Sequence, residues 1–240
     1  MLVIMLWIYL SVIGANSMKK AYFKHSNPIA KIPSPETKKI ILLISVGQPY
    51  HESNYLSAAI NLINKEHFGF CTIAVADTLQ RHNYCLKLSQ DEAYNLAEEK
   101  GEAWRKRNSG ILSTLNIDNE LINWDTWLNH PSYSYFRKKI DDLYSLDEDY
   151  KQGIDNTINS FALRVTKRQQ YPAEESRLFE ALCLEYIREE CAIIMPLWAS
   201  LKYDFIIYPK PMTLAMETTY NKFIKNNEDR VNWLSLKFKN

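Results

Sequence analysis

Glycine is scarce in this chain, with 6 residues in 240. That argues against a glycine-rich repeat and against a many-turned β-sandwich. No internal repeat and no low-complexity tract occurs. The four cysteines (Cys71, Cys85, Cys183 and Cys191) form no CxxC pair, and no metal-ligand spacing appears. Such thiols read as small buried hydrophobes in a reducing compartment. Excess charge of either sign is also missing. The net charge is +1, from 29 basic and 28 acidic residues. A nucleic-acid partner would have to be held by a local basic patch. What the chain has in quantity is core material: 46% hydrophobic and 12% aromatic residues, including 15 Tyr and 6 Trp. That composition folds, and this length suits one domain better than two.

The N-terminus, "MLVIMLWIYLSVIGANS", lacks a basic segment ahead of its apolar run; Lys19 and Lys20 come only after it. Its dozen or so apolar residues suit a signal-peptide core better than a spanning helix. A second methionine, Met18, opens "MKKAYFKHSNP". Two readings stand: a secreted or anchored protein, or translation from Met18.

The polar, proline-bearing stretch "SNPIAKIPSPET" leads into "KIILLIS" at 39 to 45. This apolar run is too short for a helix and is bounded by charge and glycine. It reads as a buried strand of a parallel sheet. Leu56, Ile60 and Ile63 recur at helical spacing, and "FCTIAVAD" at 70 to 77 is a second buried strand. "SQDE" at 89 to 92 is a capping box that starts a helix running to about residue 109. A loop with Trp124, Trp127 and "NHPS" follows, then helical patterns near 132 to 144 and 148 to 168. Pro172 fits a first helical position, ahead of the helix "AEESRLFEALCLEYIREECAIIM". "YDFIIYP" at 203 to 209 is a strand closed by proline, followed by a helix near 213 to 226 and a short "VNWLSLKF". Alternating strands and helices predict an α/β fold with a mainly parallel sheet. Ligands of such sheets bind beyond the carboxyl ends of the strands, where Ser45, Asp77 and Tyr208 fall.

Several residue groups there carry chemistry. A serine can accept an acyl group if its proton is removed and the developing oxyanion is stabilised. Ser45 lacks the GxSxG elbow of hydrolases, and a serine ending a strand is often a simple cap. Tyr186 and Glu190 stand four apart on a predicted helix, so they share one face. Beside apolar neighbours the pKa of Glu190 is open to a shift. The plainer alternative is a solvated helix edge, since Glu189 adds another carboxylate. Lys100, Arg105, Lys106 and Arg107 make a local positive excess able to neutralise phosphates, or a solvated face balanced by Glu98 and Glu99. Further basic groups are "RKK" at 137 to 139 and Arg164, Lys167 and Arg168. His51, His82 and His130 are candidate bases; His51 is near enough in sequence to tempt a Ser–His reading.

An ordered set of motifs ties these groups together: "ISVGQPYHE", "IAVADTLQRH", "KGEAWRKRN", "EYIREECAIIMP" and a strand ending in "YP". Through them the chain resembles the tRNA-dependent cyclodipeptide synthases over about residues 38 to 226. Gln48, three after the serine, and the Tyr208–Pro209 pair resemble the subfamily that lacks an asparagine at that place. The resemblance implies a Rossmann-like α/β fold, a mainly parallel sheet flanked by helices, similar to class I aminoacyl-tRNA synthetase catalytic domains. It implies a lead-in over 1 to 37 and a single catalytic domain over 38 to 240. The implied reaction is ATP-independent and takes two aminoacyl-tRNAs in sequence to a 2,5-diketopiperazine. The implied catalytic residues are Ser45 as nucleophile, Tyr186, Glu190 and Tyr208. Lys100, Arg105, Lys106 and Arg107 are implied to meet tRNA. Gln48, Ile41, Leu43, Val75, Ile193 and Ile206 are implied at the substrate. Leu43 replaces a glycine found in many relatives and points to a compact first residue.

No cofactor, metal or membrane is expected, and the chain is expected to be a cytoplasmic monomer. Charged tRNA is cytosolic, which favours the Met18 start. Three other readings remain: an ATP-using synthetase-like enzyme, a serine acyl hydrolase of α/β fold, and a non-catalytic tRNA-binding module. The first lacks HxGH and KMSKS elements, and the second lacks the elbow.

Overall fold

The computed structural model describes residues 19–24, 32–166, 173–225 and 231–239. The strands are β1 (Lys20–Phe23), β2 (Lys39–Ser45), β3 (Phe70–Ala76), β4 (Asp118–Asn123), β5 (Phe205–Tyr208) and β6 (Asn232–Lys239). The helices are α1 (Ser53–Glu66), α2 (Arg81–Tyr84), α3 (Gln90–Leu112), α4 (Trp124–Leu128), α5 (Tyr133–Leu146), α6 (Glu148–Thr166), α7 (Ala173–Ala192), α8 (Trp198–Ser200) and α9 (Leu214–Phe223). A wide π turn, Ile193–Leu197, joins α7 to α8 and holds Pro196. Proline cannot supply the amide that an ordinary turn needs, and a π turn is one place such a residue sits. The expectations for residues 1 to 17, Lys167, Arg168 and Pro172, and for the side chain of Arg164, lie outside the described residues.

The strands form one six-stranded sheet in the order β1-β6-β5-β2-β3-β4. Every neighbouring pair is parallel except β1 with β6. The chain builds outward from β2 through β3 to β4, then crosses to the other side of β2 for β5 and β6. The gap between β2 and β5 is thus the place where strand order reverses, and ligands of open α/β sheets collect there.

Four elements differ from expectation. "DNELIN", read as loop, is the edge strand β4, and "WDTWL" after it is the short helix α4. The terminal "NWLSLKFK" is the strand β6. Residues 20–23, assigned to the lead-in, form β1 and pair with β6 in the sheet. The Ser89–Glu92 capping box is present at the start of α3.

The sheet separates two cores. Ile41, Leu43 and Ile206 pack with Trp124, Trp127, Trp198 and the apolar faces of α5 to α9. Ile40, Leu42, Ile44, Val75 and Ile207 pack with α1 and with Trp104 of α3. A strand presents alternate side chains to opposite faces, so one continuous apolar run feeds both layers. Helix α3 lies hard against the end of β3. A Cβ added to Gly101 would come within 2.4 Å of the Asp77 Cβ.

Candidate active site

Strand β2 delivers Ser45, 8% exposed, at its last position. The chain must then turn sharply, and Gly47 does so with φ +85°, where a side chain would be strained. The 3₁₀ turn Pro49–His51 follows, with the His51 amide donating to the Gln48 carbonyl at 2.9 Å. This folds His51 back beneath Ser45. The Ser45 amide N–H donates to His51 Nδ1 at 2.9 Å. The same Nδ1 lies 3.2 Å from the Ser45 carbonyl, so the ring faces both main-chain polar groups of Ser45. Burial depresses the His51 pKa to about 3. The tempting Ser–His pair is therefore corrected: His51 grips the main chain of Ser45 and is no base for its hydroxyl. Trp104 Nε1 donates to the His51 carbonyl at 2.9 Å and fixes the turn from the other side.

The Ser45 hydroxyl meets a different group. Tyr208 ends β5, the strand beside β2, and its OH lies 3.0 Å from Ser45 Oγ. The Tyr50 OH lies 3.1 Å from the Tyr208 OH, making a relay of three hydroxyls. Burial raises the pKa of both phenols, so both stay protonated at neutral pH.

Helix α7 brings up the remaining groups. Tyr186 and Glu190 both face a cavity of about 190 Å³ that also exposes Ser45, Gln48, Tyr50 and Tyr208. Gln80 donates to the Tyr186 OH at 3.4 Å. Burial, with the charge of Glu189 adding to it, pushes the Glu190 pKa up to about 8. Burial likewise holds the Tyr186 phenol well above its ordinary value. Glu189 is no solvated edge residue: it is 3% exposed. Both terminal guanidinium nitrogens of Arg81 donate to its carboxylate, and His82 Nε2 lies 3.2 Å away. The Trp124 indole N–H donates to it at 2.9 Å. Burial raises the Glu189 pKa, but the hydrogen bonds from His82 and Arg81 and the Arg81 charge outweigh that and hold it low. Adjacent glutamates thus have pKa values pushed apart. One is a fixed anion that pins α7 to α2 and α4; the other is poised to exchange a proton.

No family profile and no curated protein matches the chain. Solved structures do. A cyclodipeptide synthase from Fluoribacter dumoffii is 32% identical, aligns over 92% of this chain and 99% of its own, and has a TM-score of 0.84. The chain belongs to the cyclodipeptide synthase family. A synthase from Candidatus Glomeribacter gigasporarum, solved bound to Phe-tRNAPhe, shares the fold at 19% identity, covering 82% of this chain and 86% of its own, with a TM-score of 0.66. So does a Mycobacterium tuberculosis protein at 16% identity, 85% and 87% coverage and a TM-score of 0.62. That structure is described as relating cyclodipeptide synthetases to type I tRNA synthetases. The Rossmann-like, mainly parallel α/β fold expected from the sequence is the one observed.

Within this synthase fold the residues singled out from sequence divide. Ser45, Gln48, Tyr186, Glu190 and Tyr208 come together around one cavity. Ile41, Leu43, Ile193 and Ile206 do not line it; they are closed into the core on the Ser45 side of the sheet, 0 to 2% exposed. Val75 is on the opposite face of the sheet from Ser45. It pairs with Ile44, whereas Ser45 pairs with Ala76, so Val75 packs in the other core.

The basic helix also divides. Arg105 turns inward to Asn123 and to Asp77, 3.4 Å away. Arg107 is half-exposed and pairs with Glu52 at 2.9 Å. Lys100 lies 4.3 Å over the Tyr84 ring, and Lys106 is exposed. Tyr50, Gln80, Asn83, Thr157, Phe161, Cys183 and Thr213 also line the cavity and were not anticipated. Burial pushes the Cys183 thiol up to about 12, so it is an inert wall there. Among the described residues no group of His, Cys, Asp and Glu could hold a metal ion. No helix among them is long and apolar enough to cross a membrane.

Proposed function

We propose that the enzyme joins the aminoacyl groups of two aminoacyl-tRNAs into a 2,5-diketopiperazine, with Ser45 carrying the growing product as an ester. The observation that supports this most directly is the Ser45 Oγ to Tyr208 OH contact of 3.0 Å at a cavity shared with Tyr186 and Glu190. Ser45 Oγ attacks the ester carbonyl of the first aminoacyl-tRNA. The bond to the tRNA ribose oxygen breaks, and the serine proton passes to that oxygen through the Tyr208 hydroxyl. The tRNA leaves and a seryl ester remains. Ester chemistry is already activated, so no nucleotide is consumed, and covalent capture splits a hard reaction into simpler ones.

The α-amino group of the bound residue lies against Glu190 and Tyr186. A bound ammonium lowers the raised pKa of Glu190, and the carboxylate then takes the proton that leaves a nucleophilic amine. That amine attacks the second aminoacyl ester, forming a dipeptidyl ester on Ser45 and releasing the second tRNA. The new free amine closes on the seryl ester, expels Ser45 Oγ and releases the ring. The cavity, about 190 Å³, falls below the ~300–1,000 Å³ typical of sites enclosing a whole drug-sized molecule. It suits one compact aminoacyl group, with the tRNA body outside. This chemistry needs no metal or cofactor, and charged tRNA places it in the cytoplasm, with the enzyme acting as a monomer.

A hydrolase reading with His51 as base is disfavoured, since His51 is neutral and bound to the Ser45 main chain, and His82 is engaged with Glu189 at 3.2 Å. The deciding experiment is mass spectrometry of medium from a bacterial culture expressing the chain, beside Ser45→Ala. New cyclic dipeptide masses confined to the unaltered enzyme are expected. Equal product from soluble Ser45→Ala would reject Ser45 as the carrier.

A further inference from the structure

Glu189 and Glu190 are neighbours on α7, and consecutive helical residues point ~100° apart. Glu190 faces the Ser45 cavity, while Glu189 turns to the side chains of α2 and α4. Two donors there come from Arg81, the first residue of α2, and one from the Trp124 indole that opens α4. Asp77, just past β3, sets both partners. It accepts the Thr78 amide at 2.9 Å, which begins the turn leading to Arg81, and the Trp124 amide at 3.1 Å. Arg81 also donates to the Thr78 carbonyl at 2.9 Å, so its fork is braced against its own turn. A planar guanidinium with two parallel donors suits a buried carboxylate better than an ammonium does.

Other charges near Glu190 are sparse. No Lys, Arg or His lines the cavity it faces. Its titratable neighbours are Tyr50 from the turn after β2, Tyr208 from β5, and Cys183, Tyr186 and Cys191 of α7. Burial raises the pKa of each of these phenols and thiols, so they are uncharged near neutral pH. Lys210, over the Tyr50 ring at 5.3 Å, is exposed, and salt and water screen its field. Glu189 is thus the buried charge that bears on Glu190, and Arg81 is the fixed cation bonded to it. Buried charges are little screened.

We propose that Arg81, which does not line the cavity, is a positioning residue: through the Glu189 carboxylate it sets how tightly Glu190 holds its proton. Arg81 offsets the negative field of Glu189. Without Arg81, Glu190 keeps its proton to higher pH. Without the Glu189 carboxylate, the bare Arg81 cation makes Glu190 release its proton at lower pH. Only the consequence for turnover rests on the proposed function, in which Glu190 must be a carboxylate to take the ammonium proton.

The test uses Arg81→Gln, Glu189→Gln and Arg81→Lys, each alone and combined with Glu190→Gln. The melting temperature of each variant minus that of its Glu190→Gln combination, followed from about pH 5 to about pH 9, reports the Glu190 titration without any substrate. Arg81→Gln is expected to move that titration up by about one pH unit, and Glu189→Gln down by about as much, the scale of one nearby charge. Arg81→Lys keeps the charge but loses the fork. It should melt lower and leave the titration close to its unaltered position. The acid limb of kcat for cyclic dipeptide formation should follow, upward in Arg81→Gln and downward in Glu189→Gln.

Shifts of the same sign in Arg81→Gln and Glu189→Gln, or no shift in either, would overturn the inference. A clamp that only held α7 in place would lower stability or rate without ordering the two titrations by charge. A shift in Arg81→Lys as large as that in Arg81→Gln would overturn it as well. If the melting titrations move as expected and the acid limb of kcat does not follow, the inference stands and Glu190 fails as the proton acceptor of the proposed function.

Discussion

The imidazole of His51 accepts the backbone N–H of Ser45 at 2.9 Å, while Tyr208 meets the Ser45 hydroxyl from the neighbouring strand at 3.0 Å. The nucleophile is therefore held by two separate devices: a neutral histidine that fixes its main chain, and a phenol that addresses its side chain. Each makes a different prediction.

His51→Ala leaves the Ser45 amide buried without its acceptor, a loss of roughly 1–3 kcal/mol. The melting temperature should fall, and His51→Asn, which restores an acceptor, should recover part of it. The pH dependence carries the sign. The folded pKa of about 3 lies below the unfolded value of 6.5. The contribution is therefore complete above 6.5 and is lost as pH falls toward 3. Melting curves between pH 7 and 4 should steepen downward more for the unaltered enzyme than for His51→Asn. Equal slopes would mean that His51 is not held neutral.

Tyr208→Phe removes the only hydroxyl within hydrogen-bond distance of Ser45 Oγ among the described residues, with little change of shape. Cyclic dipeptide output should fall on the order of a hundredfold, the scale of one proton-transfer group, with the fold intact by circular dichroism. Tyr50→Phe, one hydroxyl further along the relay, should cost less. A larger effect from Tyr50→Phe than from Tyr208→Phe would break the proposed order of the relay.

Glu190 carries a stability signature independent of activity. Its folded pKa of about 8 lies above the ordinary 4.5. Its contribution is full below pH 4.5 and is lost as pH rises toward 8, at roughly 1.4 kcal/mol for each unit of separation. Glu190→Gln should melt at a temperature similar to the unaltered enzyme near pH 4.5, then exceed it by a margin that widens up to about pH 8. The same variant should lose product formation at every pH. A constant melting difference across this range would refute the raised pKa.

Much of this was legible before the fold was known, and the gaps have physical causes. Strands β2 and β3 are buried on both faces and read as unbroken apolar runs. Strand β4 is an edge strand, largely exposed, so "DNELIN" has no apolar signature. Strands β1 and β6 come from opposite ends of the chain, and no local pattern announces their pairing. Motifs singled out Ser45, Tyr186, Glu190 and Tyr208, and the fold brings all four around one cavity. Tyr50 was missed because its place depends on a 3₁₀ turn that folds back over β2. Val75 lies one step of the strand alternation away from the Ser45 face. The burial of Glu189 was hidden in "REE", because its partners Arg81, His82 and Trp124 lie more than sixty residues away.

The basic stretch of α3 separates a structural cation from one offered to solvent. Arg105 is bonded to Asn123 and paired with buried Asp77. Arg105→Glu would set a second carboxylate against Asp77 and should unfold the enzyme at a markedly lower temperature. Lys106 is exposed one residue further on. Lys106→Glu should leave the melting temperature within about 0.5 kcal/mol of stability and still raise KM for aminoacyl-tRNA. A solvent-exposed cation acts on a phosphate through a field that salt screens. The KM difference between Lys106→Glu and the unaltered enzyme should therefore shrink as salt rises from 50 to 300 mM, the range over which counterions take over its role. If Lys106→Glu matches the unaltered enzyme at 50 mM salt, this face of α3 does not meet the tRNA backbone.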